Sequence, residues 1–237
     1  MPNSEETLFQ LFQEGLLVTP KDSVETFERR VILYKELPEI DFKKRLFGIH
    51  TAHTHYSIKK MLLPWFAAIT KFDHINDTPI PRIEISPQAV NEVLDHELVH
   101  AVRAPFEESI FEEFLAFETS SGWRRATGPI FFHAYEGNLV ALLLVTSLFY
   151  LPLLFFALAF ITYLIVRLIE TRKLYKKALD AICSTFSTEN PLPYALMFNE
   201  EETKILANEG GTHLMKNIEK TNPLRATQIH SLKRIQP

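Results

Sequence analysis

One cysteine, Cys183, stands in a chain of 237 residues, so no disulfide can close within it and nothing points to an oxidising compartment. Its small apolar side chain reads as packing. Basic charge is also in short supply. Lys and Arg number 25 against 29 Asp and Glu, a formal net charge of −4, and the basic residues are scattered apart from one cluster. That balance argues against a nucleic-acid partner. A secretory signal is missing too: residues 1–17 carry Glu5, Glu6 and Glu14 where a basic start and a long apolar run would be needed. The length fits one or two domains.

What the chain does have is His96-Glu97-Leu98-Val99-His100. Residues four apart lie one above the other on a helix, so His96 and His100 can aim two imidazole nitrogens at one point. Glu97 is turned by about 100° from His96, placed to hold a metal-bound water rather than to ligate. Two histidines, a third protein ligand and a water make the open zinc site of a hydrolase. Ser86-Pro87 reads as an N-cap with proline at the first helical position, and Val90, Val93, Leu94, Leu98 and Val102 repeat at helical spacing. Just upstream, residues 80–85 alternate like a strand, with Arg82 and Glu84 expected to face out. Strand and then motif helix is the order of a zincin protease.

The third ligand is expected from the next helix, residues 106–120, which follows a turn at Pro105. Its apolar arc is centred near Ile110, Phe111 and Phe114. Glu113 sits at the edge of that arc, whereas Glu107 and Glu118 lie within it. Glu107 is too near the turn to reach back, so Glu113 and Glu118 are rivals. The remaining glutamates read as a solvated face.

His96-Glu97-Leu98-Val99-His100 followed by Glu113-Phe114-Leu115-Ala116 resembles the gluzincin metallopeptidases over roughly residues 80–120. The resemblance implies zinc as cofactor, His96, His100 and Glu113 as its ligands, and Glu97 as general base. Twelve residues separate His100 from Glu113, short for that family, and Phe117 stands where an Asp or Asn often follows the alanine. Residues 221–232 are similar to the closing segment of HtpX-type membrane proteases, with Asn222 and Gln228 replacing its first His and its Arg. Arg225 and His230 could close the site or lie on a capped surface helix.

Residues 139–166 hold no charge across 28 positions. As one helix they would measure about 42 Å, more than the roughly 30 Å of bilayer hydrocarbon. A soluble core helix of that length would have no solvated face, so a membrane segment is expected. A single tilted span would put its two flanks on opposite sides, with Arg167, Arg172, Lys173, Lys176 and Lys177 in the cytoplasm. A hairpin turning near Pro152, with residues 130–132 lengthening its first arm, would return both flanks to the cytoplasm, at the cost of placing His133 and Glu136 near the bilayer. The hairpin is the form expected here. His133 or Tyr135, between motif and membrane, could polarise the scissile carbonyl; Tyr135 equally suits an interfacial belt.

The rest reads as helix. Residues 3–15 and 23–37 are amphipathic helices closed by Gly15 and Pro38, 59–72 a buried helix bent at Pro64, and 73–79 a loop. His50, His53 and His55 cluster without a carboxylate and read as polar surface or cleft wall rather than a second metal site. Residues 170–186 form a basic amphipathic helix, and 199–208 a short one ending at Gly210-Gly211.

The expectation is therefore a mainly α (α+β) protein with zincin-like catalytic helices in 1–125, a membrane segment in 126–169 and a helical region in 170–237 packing on the first part. It would be a membrane-anchored zinc metallopeptidase of an inner or plasma membrane, facing the cytoplasm. Its substrates would be peptides or proteins, those of the membrane among them, and the lipid bilayer its other partner. Glu97 and His133 would be catalytic, and His96, His100 and Glu113 would hold the metal. The alternative is a non-enzymatic or inactive integral membrane protein with an incidental motif.

Overall fold

The computed structural model describes residues 4–59, 68–87, 92–106, 110–131 and 134–235. Two capped helices open the chain. In α1 (Glu5–Gln13) the Ser4 hydroxyl accepts from the Thr7 amide at 3.1 Å, and α2 (Val24–Lys35) begins with a reciprocal Ser23/Thr26 capping box. Gly15 ends the first helix at φ +75°, where a Cβ would stand 2.7 Å from the Thr51 carbonyl oxygen. Only glycine lets the chain pass there.

Among the described residues, five short strands follow. β1 (Glu39–Asp41) pairs antiparallel with β2 (Thr51–His53). A separate sheet has the order β3-β5-β4, with β3 (His55–Ile58) parallel and β4 (Ala68–Ile75) antiparallel to β5 (Thr78–Ile85). This corrects the helix expected over 59–72 and the loop over 73–79. From Ala68 onward the chain is strand, and residues 60–67 lie outside the described residues. The reason is the hairpin: Asn76 and Asp77 take φ +49° and +62°, the left-handed pair that matches strand twist, and Ile75 faces Thr78 across them. His53 and His55 are likewise on strands; His53 is buried with Nε2 3.8 Å from Glu39, and His55 is exposed.

Glu84 is a second correction. Arg82 faces solvent as expected, but Glu84 is buried between Lys59 Nζ at 2.5 Å and Lys71 Nζ at 2.7 Å. Their hydrogen bonds hold its carboxyl down at about 2.

The motif helix is α3 (Glu92–Arg103), followed by α4 (Ile110–Glu118) and α5 (Gly122–Thr127). Residues 88–91, between Ser86-Pro87, where a helix cap was expected, and α3, lie outside the described residues. Then α6 (Ala134–Ser147) and α7 (Pro152–Phe186) form a helical hairpin, and Pro152 starts α7 at a position needing no N–H. The basic helix expected over 170–186 is the distal half of α7, since no residue between Pro152 and Phe186 breaks it. This one helix is long and apolar enough to cross a membrane, and only 11% of its most apolar window is buried.

Four helices close the chain: α8 (Leu192–Ala195), α9 (Glu200–Glu209), α10 (Gly211–Thr221) and α11 (Pro223–Ser231). One core cluster runs from Phe12 through Leu98, Phe114 and Ile182 to Leu232, so both ends of the chain share it. Polar ties reinforce it. Gln228 accepts from the Val18 amide at 2.7 Å and donates to the Leu16 and Leu8 carbonyls. Arg225 is buried against Glu202, both oxygens at 2.6 Å, and donates to the Met197 carbonyl. Arg225 is thus a structural tie, and His230 pairs with Glu219 at the surface.

Candidate metal centre

α3 delivers His96 and His100 from successive turns, and α4 delivers Glu113. His96 Nε2 and His100 Nε2 stand 3.4 Å apart. His96 Nε2 is 3.6 Å from Glu113 Oε2, and His100 Nε2 is 3.6 Å from Glu113 Oε1. Ligands about 2.05 Å from a tetrahedral zinc are about 3.3 Å from one another. The two imidazole nitrogens stand at nearly that spacing, Glu113 turns a different oxygen to each of them, and one donor atom from each of the three residues lies within 4.8 Å of the others. Among the described residues this is the one group of three His, Cys, Asp or Glu whose donor atoms converge.

Glu118, the rival, points elsewhere: it pairs with Arg125 at 2.8 Å. The next residue back, Phe117, lies edge-on against the His96 ring with centroids 5.1 Å apart. Ala116 is fully buried, and its small side chain allows α4 to lie close on α3. Glu107 and His133 lie outside the described residues. Tyr135 is exposed at the start of α6.

The residue that sequence reasoning misplaced is Glu112, expected on a solvated face. It is buried, with Oε1 accepting from His100 Nδ1 at 2.6 Å and Oε2 from Arg103 Nε at 3.1 Å. A carboxylate on Nδ1 fixes the ring and its tautomer and leaves Nε2 for a metal. Arg103 is itself locked, donating to the Leu196 carbonyl at 2.6 Å and the Phe198 carbonyl at 3.2 Å. The chain of contacts from His100 through Glu112 and Arg103 thus reaches the C-terminal region. An apolar pattern cannot reveal an inward glutamate, but an acid twelve residues after His100 and adjacent to a candidate ligand was the available signal.

Electrostatics follow the packing. Burial lowers His96 well below the usual imidazole range, with His100 and Arg124 adding to it. Burial alone would lower His100 as well, but the Glu112 hydrogen bond and the charges of Glu112, Glu113 and Glu97 raise it to about 10. Glu97 is buried and raised by that burial, against the pull of His100 and of Thr70, whose hydroxyl donates to Oε2 at 2.6 Å. Thr70 is on β4, the sheet edge, so the strand that replaced an expected helix sits against the motif glutamate. Arg124, on α5, lies over the Phe117 ring at 5.9 Å and brings a cation to this side of the cluster. A cavity of about 480 Å³ is lined by Phe72, His74, Arg103, Phe106 and Glu112 among others; none of the three converging residues lines it.

No protein-family model, curated protein or solved structure matches the chain.

Proposed function

We propose that the chain is a membrane-anchored zinc metallopeptidase of gluzincin type. The single observation that carries this reading is the convergence of His96, His100 and Glu113, one donor atom from each within 4.8 Å of the others, next to a buried Glu97. Two imidazoles and one carboxylate are the donor set of a catalytic rather than a structural zinc. When bound, zinc supplies a Lewis acid and an acidified water. His96, His100 and Glu113 hold it, and Glu112 orients His100. Glu97 takes the proton of the attacking water and passes it to the leaving amine; its raised affinity for a proton in a buried setting suits that shuttle. Arg124 is a candidate to stabilise the developing oxyanion, alongside His133 and Tyr135.

The membrane reading rests on the hairpin. α6 and α7 expose Leu142, Val145, Leu148, Phe149, Phe155 and Phe156, each at 57% or more. Burying a large apolar side chain is worth roughly 1.5–3 kcal/mol, so leaving these six and their neighbours in water costs on the order of 10 kcal/mol, comparable with the whole stability of a domain. A bilayer removes that cost. The Lys/Arg cluster beyond Val166 favours the cytoplasmic side for the catalytic part.

Purified protein is expected to hold about one zinc per chain. His96→Ala should abolish it, whereas Glu97→Gln should retain zinc and lose peptidase activity by about two orders of magnitude or more. Zinc content unchanged in His96→Ala, or proteolysis retained in Glu97→Gln, overturns the reading.

A further inference from the structure

The hairpin tip, Leu148–Leu151, is an apolar turn in which three successive backbone amides find carbonyl partners. The Leu148 amide donates to the Val145 carbonyl at 3.2 Å, and the Phe149 and Tyr150 amides donate to the Thr146 carbonyl at 3.0 and 3.1 Å. Pro152, next in line, has no amide to satisfy, and beyond it Leu153 donates to the Tyr150 carbonyl at 3.0 Å. Polar side chains near the tip are closed in the same way: the Thr146 hydroxyl donates to the Leu142 carbonyl and the Ser147 hydroxyl to the Leu144 carbonyl, both at 2.7 Å. Such pairing also occurs at helix ends in water, but in hydrocarbon an unpaired amide is heavily penalised, and these three are paired. Among the described residues, Leu148 at 80% and Phe149 at 89% are nonetheless the most exposed large apolar side chains.

The lower limit of the apolar zone is equally well marked. Arg167 on α7 grips Glu136 on α6 in a two-pronged pair, 2.6 and 2.8 Å, and further charges follow at Glu170, Arg172 and Lys173. From that bridge, α6 rises about 17 Å to Ser147 and α7 about 23 Å to Pro152. The hydrocarbon is roughly 30 Å thick, so the tip passes the midplane at about 15 Å and stops short of the far headgroups. Any tilt shortens the reach further.

We propose that α6–α7 is a re-entrant hairpin, which enters and leaves one face of a lipid bilayer and ends with residues 148–151 inside the hydrocarbon, never reaching water on the far side. It rests on the membrane reading above and goes beyond it: the body, its metal centre and both chain termini then share one face, and the hairpin serves as an anchor with no far-side segment. The partner is the acyl region of a bilayer, with the exposed Lys173, Lys176 and Lys177 facing headgroups of the entry side.

The full chain carrying Cys183→Ala and Phe149→Cys, reconstituted in vesicles of phosphatidylcholine and phosphatidylglycerol, tests this. Phe149 is exposed, so the substitution removes no packing from the body; Cys183→Ala with Lys177→Cys serves as the reference for the entry face. A bimane on position 149 should be quenched about twofold more by a nitroxide near the acyl-chain end than by one near the headgroup, as its depth past the midplane requires. A membrane-impermeant maleimide should leave position 149 unlabelled from either side and label position 177 from one side only. Labelling of position 149 from the face opposite to 177 shows a hairpin that crosses, and overturns the re-entrant form alone. Labelling of position 149 from the same face as 177, without quenching by either nitroxide, overturns the membrane reading with it.

Discussion

Glu112→Gln separates the orientation of the proposed metal centre from its ligation. The substitution is nearly isosteric and removes the charge held between His100 Nδ1 at 2.6 Å and Arg103 Nε at 3.1 Å. Arg103 stays behind, 1% exposed, with two carbonyls but no carboxylate. Losing one partner of a buried pair costs roughly 3–5 kcal/mol, because the other charge is left uncompensated. For a chain of this size each kcal/mol is worth about 2–4 °C, so the melting temperature of the metal-free protein should fall by about 6–20 °C. His100 also loses its orienting acceptor, and zinc affinity should drop about 10–100-fold without vanishing. Glu113→Gln should give the converse: zinc lost, with a smaller fall in the metal-free melting temperature than Glu112→Gln, because Glu113 is partly exposed and stands 3.6 Å from each imidazole, outside hydrogen-bonding distance. Thermal melts of the metal-free proteins, with zinc titrated against a competing chelator, give both numbers. A Glu112→Gln protein that melts like the parent refutes the reasoning, since the Arg103 site would then tolerate the missing charge.

Other outcomes follow from the same contacts. Glu118→Ala should leave zinc stoichiometry unchanged, because Glu118 pairs with Arg125; loss of zinc there would reinstate it as the third ligand. Gly15→Ala should destabilise by about 2–4 kcal/mol, the sum of a left-handed backbone and a contact of 2.7 Å with the Thr51 oxygen, read as a lowered denaturation midpoint. Glu84, held down at about 2 by Lys59 and Lys71, has a lower folded than unfolded value. Its stabilisation is complete above about pH 4.5 and is lost as pH falls towards 2, so Glu84→Gln should lessen the acid sensitivity of stability in that window. An unchanged acid profile would show that the lysines do not act on it.

Some of this was legible along the chain because the physics is local. His96 and His100 need only helical spacing to share a face, and both the amphipathic helices near the start of the chain and the uncharged run of residues 139–166 are properties of short windows. The choice between Glu113 and Glu118 was not local. Periodicity put Glu118 inside the apolar arc, yet the way α4 lies across α3 turns Phe117 onto His96 and leaves Glu118 to Arg125. Glu112 escaped for a related reason: its burial is stabilised by Arg103, which is fixed in turn by carbonyls more than ninety residues further on. The stretch ending in Phe72 looked helical from its apolar content, but pairing with β5 through Asn76-Asp77 made residues 68–75 a strand and brought Thr70 to Glu97. The sequence by itself determined the two histidines, the glutamate between them and the apolar segment, since each depends on neighbours within a few turns. Only the tertiary structure decided which carboxylate meets the histidines and which one orients them, because both answers depend on side chains brought together from α3, α4 and the C-terminal region.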